Sequence, residues 1–112
     1  MLFALTTLAP TLSISGTCPD VTWEGGGFQP GSPLVVLHSP GEGTAPLESG
    51  PCAGLETGLA DVGWSRFARA PASGAFSLPD HLLPSTCDHV FQVLDLRTCT
   101  LSNVAAPAPQ GR

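Results

Sequence analysis

Glycine and proline interrupt this chain so often, 13 and 12 times in 112 residues, that little room is left for a long helix. What remains between the breakers is a series of short extended segments. The longest is Cys87 to Val104, C-D-H-V-F-Q-V-L-D-L-R-T-C-T-L-S-N-V, which reads as a central strand, a tight turn and a closing strand. Upstream, Leu12 and Ile14 alternate with Ser13 and Ser15, and Val21 and Trp23 share a face of a second short piece. Phe28-Gln29-Pro30-Gly31-Ser32 has the Pro and Gly of a type II turn. The following Pro33–His38 is apolar on both faces, as a buried strand is, and Pro33 is tolerable as its first residue.

From Ser39 to Pro51 no period of either kind appears, and a loop of this length in a compact domain points to a binding segment or a tether. Leu55–Val62 is expected to be a strand. Trp64–Ala70 alternates, with Trp64, Phe67 and the alanines set against Ser65, Arg66 and Arg69, although its phase slips by one. Ala70–Gly74 is a hairpin-like connection to Ala75–Leu78, and Pro79–Thr86 is expected to be a second loop. Some seven short strands punctuated every 8–12 residues or so specify one antiparallel β-sandwich domain. Its expected limits are 11–105, with an apolar leader or remnant of an upstream chain at 1–10 and a disordered Pro/Ala tail at 106–112. Met1–Leu8 lacks a basic flank and is too short to span a bilayer, so no membrane insertion of the folded domain is expected.

Four cysteines, none in a C-x-x-C arrangement, read as two disulfides and place the domain in an oxidising compartment, extracellular or in the cell envelope. If His89–Arg97 is a strand, Cys87 and Cys99 lie at its opposite ends, about 40 Å apart along an extended chain. A disulfide needs Cα atoms within about 7 Å, which disfavours Cys87–Cys99 and with it Cys18–Cys52. Of the two remaining pairings, Cys18–Cys99 with Cys52–Cys87 is expected, on the argument that the long loop gives Cys52 reach. Cys18–Cys87 with Cys52–Cys99 stays open.

The order C-P-x-x-V, P-G-S-P-L-V-V-L, G-P-C-A-G-L, A-S-G-A-F-S and F-Q-V-L-D-L-R-T-C-T-L-S-N-V resembles small Ig-like β-sandwich domains in secreted or surface proteins of myxobacteria-like bacteria. The likeness spans Thr11 to Val104. It departs at Ala70–Gly74, where the turn-start Asp of A-D-x-x-G is absent, and at Asp88, which replaces a small residue after the cysteine. The resemblance implies an Ig-like architecture and a place at the end of a longer exported chain; it carries no catalytic activity.

A net charge of −5, with all four basic residues Arg, argues against nucleic acid and anionic membranes as partners. The cysteines with His38, His81 and His89 lack a zinc-knuckle spacing. The loop carboxylates Glu42, Glu48 and Asp61 lack a calcium-loop pattern. No nucleophile elbow, phosphate cradle or rigidly held carboxylate pair is present. No cofactor, metal or enzymatic activity is therefore expected. Trp23 and Trp64 are candidates either for the core or for stacking on a ligand. Asp95 interrupts an apolar strand on the face of Phe91, Val93 and Arg97, either as a binding-face carboxylate or as a strand-end residue bonding a turn, and Gln92 reads as a satisfied core amide. The expected function is a non-catalytic extracellular spacer or adhesion module that meets a protein or glycan at the cell surface. The alternative is a small carbohydrate- or protein-ligand-binding domain using the 39–51 loop and an exposed Trp.

Overall fold

The computed structural model describes residues 9–108. Seven strands form two antiparallel sheets: β1 (Thr11–Thr17), β2 (Asp20–Gly26), β3 (Pro33–Ser39), β4 (Gly63–Arg69), β5 (Phe76–His81), β6 (Val90–Asp95) and β7 (Thr100–Leu101). One sheet has the order β1-β2-β5 and the other β4-β3-β6-β7. The sheets face each other through a core in which Leu12, Val21 and Trp23 meet Leu34, Val36, Phe91 and Val93. At its centre the Trp23 and Phe91 rings pack edge to face, 4.9 Å apart. Among the described residues no helix is long and apolar enough to cross a membrane.

The expected type II turn forms. Ser32 N–H donates to Gln29 O at 3.1 Å, and Gly31 supplies the positive φ of +77° that the turn requires. Side chains close the two seams between the sheets. On one side, Arg66 of β4 reaches Asp80 of β5 at 2.9 Å. On the other, Asn103 accepts from the Leu12 N–H at 2.8 Å and returns a donor to the Leu12 carbonyl at 2.9 Å, imitating a strand pair where the backbone has none.

The double-sided apolarity of β3 has a cause that the strand pattern does not disclose. Leu34 and Val36 face the other sheet, whereas Val35 and Leu37 form a second core with Leu94 on the outer face. That face is covered by the β3–β4 connection, which contributes Leu47, Cys52 and Leu59 to the same buried cluster. The connection folds back on itself through backbone bonds from Ala45 N–H to Leu59 O, Leu47 N–H to Leu55 O and Thr57 N–H to Ala45 O, each between 2.8 and 3.0 Å. Gln92 fastens it to the sheet: its Oε1 accepts from Gly58 N–H at 2.9 Å, while its Nε2 donates to Ser102 O at 2.7 Å. The aperiodic 39–51 segment is thus half of a cover on the sheet.

Several expectations are corrected. Leu55–Val62 is not a strand; only isolated bridges, Pro46 to Glu56 and Glu42 to Leu59, mark it. β5 runs on through Pro79 to His81 instead of yielding to a loop, because it is an edge strand and Pro79 can present its missing N–H to the unpaired side. Chain contacts also continue past the expected limit at 105. Ala105 exchanges backbone bonds with Phe91, Pro107 is buried, and Ala108 bridges Thr17. Of the expected leader, Pro10 is buried; residues 1–8 and 109–112 lie outside the described residues.

The disulfides are Cys18–Cys87 and Cys52–Cys99, which corrects the expected Cys18–Cys99 and Cys52–Cys87. Their Cα separations are 5.7 and 5.5 Å. The straight run of β6 does separate Cys87 from Cys99. Cys18, however, lies in the β1–β2 turn, at the end of β1. Asp20 pairs with His81 at the end of β5, and a short 3-10 turn (Pro84–Thr86) leads from there to the start of β6. Cys18 therefore shares a pole with Cys87, and the cover brings Cys52 to the β6–β7 turn at the other pole.

Candidate functional site

The two tryptophans take opposite fates. Trp23 is 1% exposed, and its indole N–H donates to Asp80 Oδ2 at 2.9 Å, so it is a core residue with its one polar atom satisfied. Trp64 is 39% exposed, and Phe67, on the same strand, is 67% exposed.

A β-bulge in β4 sets the pair side by side. Val36 pairs with Arg66 and Leu37 with Trp64, so Ser65 is an extra residue and residues three apart share a face. That is the slipped phase of Trp64–Ala70. Phe67 lies opposite Val35 and Trp64 opposite Leu37, on the outer face of the sheet at its free edge. The two ring centroids are 6.0 Å apart with planes 32° from parallel. Beside them is a groove of about 290 Å³, walled by Pro46–Ser49 of the cover on one side and by Asp61, Val62 and Trp64 on the other. Gly50, with φ +86°, passes the indole edge without a side chain; a Cβ there would stand 3.6 Å from Trp64 Cη2.

Asp95 does not join this surface. It is fully buried, and its Oδ1 accepts from the backbone N–H of Arg97 at 2.9 Å and of Thr98 at 3.2 Å. It holds the turn that carries Cys99, while its Oδ2 and the hydroxyl of Ser32 have no partner. The binding-face reading of Asp95 is thereby replaced by the turn-bonding one.

Asp80 is the most heavily engaged carboxylate. Burial disfavours its charge, but donors from the Trp23 indole, the His81 backbone N–H and Arg66 outweigh that and hold its carboxyl below the ordinary carboxylate value. His38 and His89 form a second polar contact that the sequence does not announce. Their Nδ1 atoms are 3.1 Å apart, with ring planes within 17° and centroids 5.3 Å apart. The centroid separation exceeds the nitrogen separation by about two ring radii, so the nitrogens meet head-on and only one can carry the shared hydrogen. Burial pushes the His38 pKa down and His89 pushes it the same way, with Asp61 opposing. The ring lies over Gly63, where a Cβ would approach Nε2 to 2.6 Å.

Among the described residues, no three His, Cys, Asp or Glu side chains are placed to hold a metal ion. The buried polar groups Gln92, Asp95 and Thr57 are all bonded to backbone. The exposed Trp64–Phe67 pair and the groove beside it form the surface whose aromatic groups the fold does not use. No family model, curated protein or solved structure matches the chain.

Proposed function

We propose that this domain is a non-catalytic extracellular module, an Ig-like sandwich that serves as a spacer or adhesion domain of an exported bacterial protein. The sheet orders β1-β2-β5 and β4-β3-β6-β7 support the Ig-like connectivity. The observation that carries the reading is the pair of disulfides. One joins the two sheets at one pole and the other ties the cover to the β6–β7 turn at the opposite pole, the construction of a small domain made for an oxidising environment.

The test is thermal unfolding with and without reductant on material exported to an oxidising compartment. The module reading expects both disulfides in the exported protein and a large loss of melting temperature on reduction. A fully reduced chain that melts at the same temperature overturns it.

The exposed Trp64–Phe67 pair favours, within this reading, a module that binds rather than one that only separates its neighbours. The 39–51 segment contributes to such a site as one wall of the groove.

A further inference from the structure

We infer that the Trp64–Phe67 face and the adjoining groove bind a neutral polysaccharide chain, an inference that rests on reading the domain as an interaction module. Trp64, Phe67 and Leu83 are the large apolar side chains exposed among the described residues, and two of the three lie ring beside ring on one strand. The bulge at Ser65 creates that adjacency, since regular alternation would send residues three apart to opposite faces. Bulges that re-aim side chains recur beside binding sites. The cover that buries Val35 and Leu37 leaves Phe67 67% and Trp64 39% exposed, and neither ring belongs to the second core.

The surroundings select the ligand. The groove next to the indole is lined by the carboxylates of Glu48 and Asp61 and by Ser49, and no Arg or His lines it. Sugars present an axial C–H face that packs on an aromatic ring and an equatorial rim of hydroxyls that donate to carboxylates. A groove of about 290 Å³ suits one sugar ring, and Phe67, outside the groove but beside Trp64 and 67% exposed, would meet the next. A net charge of −5 and the two lining acidic residues disfavour polyanions, so between neutral and anionic chains the groove selects the neutral ones.

The test uses affinity electrophoresis in gels containing hydroxyethylcellulose, galactomannan or laminarin, with polygalacturonate as the anionic probe. It is paired with acrylamide quenching of tryptophan fluorescence. Buried Trp23 is the internal reference, so a polysaccharide-dependent loss of quenching reports Trp64. Retardation by at least one neutral polymer is expected. Trp64→Ala should weaken it about tenfold, or about 1.4 kcal/mol, and Phe67→Ala by a smaller factor. Ser13→Ala, on the exposed face of β1 in the opposite sheet, should bind as the parent does. Three results overturn the inference: no retardation by any neutral polymer, retardation that Trp64→Ala retains, or tighter binding to polygalacturonate. A Trp64-dependent dimer in sedimentation, without retardation, would assign the face to a second copy of the chain instead. These failures leave the disulfide-based module reading standing, because the reduction experiment tests that separately.

Discussion

The indole N–H of Trp23 and the carboxylate of Asp80 meet at 2.9 Å across neighbouring strands of the three-stranded sheet, and the same carboxylate oxygen receives Arg66 from the opposite sheet. The two donors are unequal. The indole is inside the core, where a lost acceptor costs about 1–3 kcal/mol, whereas Arg66 is a half-exposed partner in an ion pair worth about 0–1 kcal/mol. Asp80→Ala is therefore expected to destabilise the domain by about 2 kcal/mol and Arg66→Ala by less than about 1 kcal/mol. Urea unfolding checks this, and equal losses would mean that the ion pair, not the indole bond, holds the seam.

Acid should weaken the fold in two stages. The folded pKa of His38 lies below its ordinary 6.5, so the unfolded chain takes up its proton first and stability falls as pH drops through and below that value. Asp80 is depressed below 3.8, so its contribution is present above that pH and is lost as pH falls through the folded value. Melting temperatures measured from pH 8 to pH 3 should show both declines. His38→Gln should abolish the upper one, and a profile unchanged by that substitution would remove the head-on pair from the account.

Non-reducing peptide mapping should recover Cys18 linked to Cys87 and Cys52 linked to Cys99. The loops they close, with sequence separations of 69 and 47 residues, are long enough for each bridge to contribute substantially through the unfolded state. Replacing either pair by alanine is expected to cost about 4 kcal/mol on the chain-entropy estimate. Recovery of a Cys18–Cys99 peptide would contradict the shared pole of the β1–β2 turn and the start of β6.

Leu59 lies in the cover and is completely buried against the outer face of the four-stranded sheet. If that second core is integral, Leu59→Ala should lower global stability by about 2–5 kcal/mol, as for a residue of the main core such as Leu34. Hydrogen exchange distinguishes the alternative. A cover that opens independently would lose protection at Ala45 and Thr57 while the amides of β6 keep theirs.

How much of this was legible beforehand follows from which forces are local. Strand alternation and turn chemistry are written residue by residue, so the all-β fold, the type II turn at Gln29–Ser32 and the separation of Cys87 from Cys99 could be read directly. The double-sided burial of β3 was visible as well, but its cause was not: Leu47 and Leu59 sit in an aperiodic segment whose docking is a tertiary event. The phase slip at Ser65 was the one local trace of the exposed aromatic pair. The disulfide partners depended on where the β1–β2 turn falls relative to β6, a long-range relation that spacing does not encode. The His38–His89 contact had no sequence signal for the same reason.

The two bridges also govern what happens when the domain is pulled by its ends. Cys18–Cys87 makes a covalent short cut past the chain between them, a sequence separation of 69 residues. Tension entering before Cys18 and leaving after Cys87 bypasses β2 to β5 entirely, and only β1 and the chain from β6 onward can pay out. Linked in series with other domains, such a module would therefore pay out only these two flanks under load, and the chain between Cys18 and Cys87 would stay out of the load path until a sulfur–sulfur bond is reduced.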